Sequence, residues 1–104
     1  MNIQQLTQIM HDFVQSKGWY EENSLKKQTL RNLAISLCLE SAEVLEHFQW
    51  GEKLKDKDSL AMELADVALY LLQIAELGEI DLEGAIMSKL EKNYQREWAE
   101  EIKK

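Results

Sequence analysis

Two pairs of carboxylate side chains are the most distinctive chemical feature of the sequence. Glu40 and Glu43 are three residues apart, and Glu63 and Asp66 repeat the same spacing. Residues at i and i+3 of a helix lie on one face about one turn apart, so each pair stacks two carboxylates. The neighbours one turn away on these faces include the apolar residues Leu37, Val44, Met62 and Leu69.

No basic residue lies near either pair in the sequence. Lys and Arg are absent from residues 32–52 and from residues 58–88. Ionised carboxylates in apolar surroundings are unfavourable unless they are protonated, paired with a cation or bound to a metal. One such pair alone is typical of a solvated helix face, but two pairs on consecutive helices favour a metal site. Mg²⁺ is the expected ion because it takes oxygen ligands, whereas zinc would normally be accompanied by Cys or His.

A third group of polar residues occurs near the end of the chain. Lys89, Asn93 and Arg96 are spaced i, i+4 and i+7, so they share one helix face. Two cations and an amide on one face can clamp a polyphosphate, and Arg can bind phosphate bidentately. The same spacing fits an ordinary surface pair between Arg96 and Glu100, and taken alone it favours that interpretation.

Several ring side chains fall close to these groups. Trp19 and Trp50 lie at predicted helix ends, where an indole can close a pocket and stack on a base. Tyr70 follows Asp66 by one turn. Most aromatic residues at such positions simply pack in a core. His47 lies one turn past the first carboxylate pair, but a single histidine is more often structural, and we do not include it in the predicted site.

Four helices are predicted to position these residues. The chain has no proline, which is excluded from helix interiors, and it is rich in strong helix formers such as Leu, Ala, Glu and Lys. Capping residues, glycines and apolar periodicity locate the helices. They are predicted to run from Ile3 to Ser16 with Asn2 as N-cap and Gly18 as the closing residue, from Thr29 to Trp50, from just after Asp58 or Ser59 to before Gly78, and from Asp81 towards Glu100.

Length and charge limit the class of protein. The chain has 104 residues, and 19 acidic against 12 basic residues give it a net charge of -7. This length supports one domain, residues 1–104. The acidic surplus argues against binding to nucleic acid or to an anionic membrane surface. The longest apolar stretch, residues 67–72, is far shorter than the roughly 20 residues that span a bilayer.

The third predicted helix is apolar around most of its circumference. The strongly polar side chains between residues 59 and 77 are Glu63, Asp66, Tyr70, Gln73 and Glu76, and the first four lie in one narrow stripe. A chain of four helices is too small to cover such a helix on all sides, so we expect a homodimer or homotetramer. The N-terminus shows no signal peptide and Cys38 is a single cysteine, which predicts a cytoplasmic protein.

The ordered set of motifs resembles one known family. Two carboxylate pairs separated by 19 residues are similar to the signature of MazG-like all-α nucleoside triphosphate pyrophosphohydrolases. The resemblance covers about residues 19–96 and is greatest to the short dCTP pyrophosphatase branch. The supporting motifs are Gly18-Trp19, Arg31-Asn32-Leu33, Phe48-Gln49-Trp50, Tyr70, and Lys89 with Asn93 and Arg96. The chain differs from the family pattern at Ala42, where Gly is common, and at Glu97-Trp98, where Tyr-Pro commonly follows the arginine.

The resemblance implies a fold, a reaction and a set of site residues. The fold would be a four-helix bundle-like protomer completed by oligomerisation. The reaction would be Mg²⁺-dependent hydrolysis of a (deoxy)nucleoside triphosphate to the monophosphate and pyrophosphate, in nucleotide-pool sanitation. The metal ligands would be Glu40, Glu43, Glu63 and Asp66. On chemical grounds, a carboxylate that is not fully engaged with the metal can serve as general base, and Glu43 or Glu40 is the candidate. Lys89 and Arg96 would bind phosphates, Trp19, Trp50, Tyr70 and Asn93 would shape the nucleotide pocket, and Arg31 and Asn32 would border it.

Other functions remain open from the sequence. The related phosphoribosyl-ATP pyrophosphohydrolases use similar helical carboxylates but lack this set of tryptophans. A non-catalytic helical oligomerisation or adaptor module would need none of the four carboxylates. A di-iron carboxylate protein is disfavoured, because neither pair forms the Glu-x-x-His motif of that class.

Overall fold

The computed structural model describes the backbone of residues 1–103 and the side chains of residues 1–96. It contains four helices: α1 (Ile3–Ser16), α2 (Leu30–Glu46), α3 (Lys57–Leu77) and α4 (Leu82–Lys103). Residues 1–103 form no β-strand. The predicted all-α fold is therefore confirmed.

The predicted limits of α1 are also confirmed, and the reason is local. The Gln5 N–H donates to the Asn2 side-chain oxygen at 2.8 Å, and the Asn2 N–H donates to the Gln5 side-chain oxygen at 2.9 Å. This capping box satisfies two backbone donors at the helix start. After the helix, Gly18 adopts a φ of 71°, which is readily available to glycine and lets the chain turn away.

The second helix is shorter than predicted. Thr29 caps it, but α2 ends at Glu46 and not at Trp50. The chain stays tightly wound beyond that point, because the Phe48 N–H donates to the Leu45 carbonyl at 2.9 Å, three residues back. Such bonds are common where the last turn of a helix tightens. Histidine and aromatic residues, which follow Glu46, are also weaker helix formers than Leu, Ala or Glu.

The third helix begins earlier than predicted, and the fourth begins as predicted. Asp56, rather than Asp58 or Ser59, is the N-cap of α3: its carboxylate accepts the Ser59 N–H at 3.0 Å. Several residues in this acidic and polar stretch can cap a helix, so the sequence alone does not decide between them. At α4 the predicted cap is confirmed, because Asp81 accepts the Gly84 N–H at 3.1 Å.

The core lies where α1 and α2 pack against α3. Met10 and Val14 of α1 meet Leu72 of α3, and they are surrounded by Ile3, Trp19, Tyr20 and Leu82. Leu33 of α2 is 2% exposed. Because α3 lies between the other two helices, residues on its two sides face different neighbours.

A buried polar network ties the connector, residues 17–29 between α1 and α2, to α3. Gln73 is 4% exposed, and its amide donates to the Gln28 side-chain oxygen at 2.7 Å and to the Tyr20 hydroxyl at 3.4 Å. The Nδ1 of His11 also hydrogen-bonds with the Tyr20 hydroxyl. Burial raises the pKa of Tyr20 above its ordinary value, although its bond with Gln73 works against that rise. These bonds fix the otherwise irregular connector against the helices.

The turn between α3 and α4 places a left-handed residue at Glu79, with a φ of 56°. The Ile80 N–H donates to the Ala75 carbonyl at 2.8 Å, which is the 6→1 hydrogen bond of a Schellman motif. Glycine stands one position earlier, at Gly78, where a Cβ would lie 3.1 Å from the Ile74 carbonyl oxygen. The position that most favours glycine is therefore occupied by glutamate.

The protomer is more extended than a compact domain of its length. Its radius of gyration is 17.1 Å, against about 13 Å for a compact chain of this size. Large apolar side chains stay exposed on α4, where Met87, Leu90 and Tyr94 are 63%, 57% and 78% exposed. None of the helices in the described part of the chain combines the length and apolar character needed to cross a bilayer.

Candidate functional site

The packing of α2 against α3 brings the two carboxylate pairs into one neighbourhood. Glu40 and Glu63 are half-buried, whereas Glu43 and Asp66 are exposed. Each of the other three carboxylates acts electrostatically on Glu40, across the helix pair as well as along α2. The i, i+3 spacing places each pair on one side of its helix. The packing of α2 against α3 brings these two sides together.

Glu40 responds to this environment. Desolvation raises the pKa of its carboxyl above the ordinary value, and this is the largest cause. The adjoining Glu43 raises it further through a shared hydrogen bond and through its charge, followed by the charges of Asp66 and Glu63. Like charges gathered in a partly buried site disfavour ionisation, and a bound cation would reverse that effect.

The four carboxylates Glu40, Glu43, Glu63 and Asp66 form a carboxylate cluster, and two of its oxygens lack any hydrogen-bond partner. Glu40 Oε2 and Glu63 Oε2 are both shielded from solvent and accept no hydrogen bond from the described residues. Buried carboxylate oxygens are normally paired or bound to a cation, so this donor set fits a hard divalent ion such as Mg²⁺. Within residues 1–96 no three His, Cys, Asp or Glu side chains are already grouped around one point, so the carboxylates would have to rotate towards a shared ion.

His47 lies beside the cluster, although the sequence analysis did not include it. Its Nε2 is 3.4 Å from Glu63 Oε2, without forming a hydrogen bond, and its side chain is only 12% exposed. The residue follows the helical part of α2 by one position. Its spacing of four residues from Glu43 was the signal that could have placed it here.

A cleft of about 530 Å³ opens next to the cluster, between α1, the connector, α2 and α3. Of the predicted site residues, Trp19, Asn32, Asp66 and Tyr70 line it. Asp66 belongs both to this cleft and to the carboxylate cluster. The residues around the cleft that the sequence analysis missed include Lys26, Lys27, Gln28, Ser36 and Gln73.

Trp19 is held in place at the wall of this cleft. Its ring meets Phe13 edge-on, with centroids 5.7 Å apart. The Lys26 ammonium lies 4.8 Å from the Trp19 ring centroid, within the range of a cation–π contact. A large, partly buried aromatic surface is therefore available beside the carboxylates.

The remaining predicted residues lie elsewhere in this chain. Glu40, Glu43 and Glu63 do not line the cleft. Trp50, Arg31 and the predicted phosphate residues of α4 also lie outside it. On α4 the Arg96 guanidinium donates to the Asn93 side-chain oxygen at 3.3 Å, so these two residues share a face as their spacing predicts. Lys89 is exposed on the same helix, and the side chains of Glu97 and Trp98 lie outside the described residues.

Known proteins are similar in sequence to this chain. It is 36% identical over 75 residues to dCTP pyrophosphatase 1 of Rattus norvegicus, and 35% identical over 75 residues to dCTP pyrophosphatase 1 of Homo sapiens. These matches cover 64% of this chain and 44% of each relative, so the chain spans less than half the length of these relatives.

A solved structure extends the similarity to most of the chain. The crystal structure of a pyrophosphatase from Archaeoglobus fulgidus has a TM-score of 0.77 and 36% identity, with 89% of each chain covered. The MazG nucleotide pyrophosphohydrolase domain matches residues 27–99, which include both carboxylate pairs. The family resemblance drawn from the motifs is thus confirmed. This chain belongs to the MazG nucleotide pyrophosphohydrolase family.

Proposed function

We propose that this protein hydrolyses a (deoxy)nucleoside triphosphate to the monophosphate and pyrophosphate, with Mg²⁺ as cofactor, and that it serves in nucleotide-pool sanitation. The observation that carries the proposal is the pair of shielded carboxylate oxygens, Glu40 Oε2 and Glu63 Oε2, on facing helices. Buried carboxylate oxygens of this kind are normally paired or bound to a cation, and the adjacent cleft would hold the nucleotide. Family membership is consistent with this reaction.

The four carboxylates would hold the ion. Bound there, Mg²⁺ would neutralise charge on the phosphate oxygens and acidify the attacking water. Because Asp66 also lines the cleft, an ion held by this residue would face the phosphates of a nucleotide in the cleft. Glu40 or Glu43 would accept the proton of the water.

The cleft would hold the nucleoside. Trp19 and Tyr70 offer aromatic surface for the base, and Asn32 borders the same space. The Asn32 side chain already donates to the Lys27 carbonyl at 3.0 Å, so its main role would be to shape the pocket. dCTP is the first substrate to test, because the mammalian relatives named above are dCTP pyrophosphatases.

Self-association would complete the site. The apolar side chains exposed on α4 need cover, and a second copy of the chain is the partner that we propose. In a homodimer or homotetramer, Lys89, Asn93 and Arg96 could reach the cleft of a neighbouring copy and bind phosphate there. Arg31 and Trp50 would line the nucleotide pocket in the same assembly.

A nucleotide panel tests this proposal. Release of pyrophosphate and monophosphate is measured from each ribo- and deoxyribonucleoside triphosphate and from phosphoribosyl-ATP, with Mg²⁺ and with excess chelator. Turnover of at least one triphosphate is expected with Mg²⁺ and not with chelator. Greater turnover of phosphoribosyl-ATP would instead support the related pyrophosphohydrolase class. No turnover across the panel would contradict the proposal and favour a non-catalytic module.

A further inference from the structure

Two lysines of the connector stand beside the proposed substrate. Lys26 and Lys27 both line the cleft, and they are the cationic residues among its described lining side chains. The predicted phosphate ligands Lys89 and Arg96 lie outside the cleft of their own chain. The connector therefore supplies positive charge to the cleft, which the predicted phosphate ligands of α4 do not supply within the same chain.

Side-chain amides fix the backbone that carries these lysines. The Gln28 amide donates to the Lys26 carbonyl at 2.6 Å, and the Asn32 amide donates to the Lys27 carbonyl at 3.0 Å. Gln28 is held in turn, because its oxygen accepts the 2.7 Å bond from buried Gln73 of α3. An irregular segment tied in this way presents its side chains from a defined position.

Neither lysine is paired with an acid. Among the described side chains, the one basic group within ion-pair distance of an acid is His47, beside Glu63, so neither lysine is paired. The Lys26 ammonium lies over the Trp19 ring, and both lysine side chains are exposed. An exposed cation–π contact is weak, so the ammonium can exchange it for a charged hydrogen bond to a phosphate.

We propose that Lys26 and Lys27 bind the phosphate chain of the nucleotide from the connector side of the cleft, while Asp66 and its neighbours hold the metal on the α3 side. This inference rests on the proposed function and adds two substrate-binding residues to it. A polyphosphate carries several negative charges. A divalent ion on the carboxylates would offset part of them, and two ammonium groups within the same cleft would offset more.

Binding of inorganic tripolyphosphate, with Mg²⁺, tests the proposal without depending on a base. Isothermal calorimetry gives its Kd for the wild-type chain and for Lys26→Met, Lys27→Met and Lys26→Arg. Lys17→Met is the matched control, because Lys17 also lies over an aromatic ring, 5.7 Å from the Phe13 centroid, but does not line the cleft. Binding of an uncharged deoxynucleoside provides a second readout for the same variants.

Each methionine variant should weaken tripolyphosphate binding by about tenfold, as expected for loss of one charged hydrogen bond. Lys26→Arg should retain most of the affinity, and Lys17→Met all of it. Deoxynucleoside binding should not weaken in any of them. Wild-type affinity in both methionine variants, or a wild-type chain that does not bind tripolyphosphate, would overturn this inference. The proposed function would still be decided separately, by turnover in the nucleotide panel.

Discussion

At the scale of single residues, Glu40 is a site residue whose ionised form should lower the stability of the folded chain. Its carboxyl is desolvated and faces three other acids, so folding raises its pKa. A carboxyl with a raised pKa favours the folded chain while it is protonated. That contribution is lost as the pH rises through the raised pKa. Near neutral pH and without metal, the ionised Glu40 should therefore destabilise the fold.

Replacing Glu40 with Gln should remove this penalty. In chelator at neutral pH, Glu40→Gln should have a higher thermal unfolding midpoint than the wild type, and the difference should shrink as the pH is lowered. Added Mg²⁺ should stabilise the wild type and have little effect on the variant. Glu46→Gln, an exposed position at the end of α2, should behave like the wild type. A variant less stable than the wild type in chelator would contradict this explanation.

Gln73 is a second residue whose environment predicts a measurable effect. Changing it to Leu preserves much of its bulk but leaves the Gln28 side-chain oxygen without the donor that Gln73 provides. The loss of a buried hydrogen-bond partner costs about 1–3 kcal/mol, so the free energy of unfolding should fall by that amount in urea titrations. Gln15→Leu, on the exposed side of α1, should change it by less than about 0.5 kcal/mol. Equal stabilities would show that the network does not fix the connector.

At the scale of helices and turns, local sequence signals were sufficient to locate some helix ends but not others. Asn2 and Gln5, three positions apart, form a capping box, so the start of α1 could be read from the sequence. The end of α2 could not, because the residues after Glu46 keep turning without forming an α-helix. Equivalent caps also compete before α3, where Asp56 is used. Helix ends of this kind depend on small energy differences that a sequence pattern does not resolve.

The turn after α3 offers a prediction of its own. Glu79 adopts a left-handed conformation that costs a residue with a Cβ about 1–2 kcal/mol. Glu79→Gly should therefore raise the free energy of unfolding by about 1 kcal/mol, less than the full strain because glycine also gains freedom in the unfolded chain. Glu83→Gly, in the first turn of α4, should lower it by a similar amount. Urea titration of both variants checks the opposite signs, and a destabilising Glu79→Gly would contradict the assigned conformation.

At the scale of the whole molecule, the cleft depends on contacts that no single motif contains. The carboxylate pairs and Tyr70 were predicted from helical spacing. Lys26 and Gln28 were missed because the connector has no periodicity, and their position follows from long-range bonds such as that between Gln28 and Gln73. The place of α4 relative to the site is likewise not encoded in its own spacing. The spacing of Asn93 and Arg96 predicts that they share a helix face, but it does not predict which cleft that face contacts.

The extended protomer predicts self-association through α4. Met87, Leu90 and Tyr94 are spaced i, i+3 and i+7 and form an exposed apolar stripe. Sedimentation equilibrium should give a dimer or tetramer for the wild type. Leu90→Asp should shift the mass towards a single chain, whereas Gln95→Asp, a polar position on the same helix, should have little effect. A wild-type protein that sediments as a single chain would rule out the proposed assembly.

The proposed reaction is hydrolysis between the first two phosphates of a nucleotide, directed by the carboxylates of α2 and α3. Phosphorus NMR identifies the products formed from dCTP and Mg²⁺ by the wild type, Glu63→Gln and Glu46→Gln. We expect monophosphate and pyrophosphate as products, unchanged by Glu46→Gln. Glu63→Gln should reduce the rate by more than about a hundredfold, because loss of groups that merely support metal ligands already costs 10–100-fold. Products of diphosphate and orthophosphate, or full activity in Glu63→Gln, would contradict the claim.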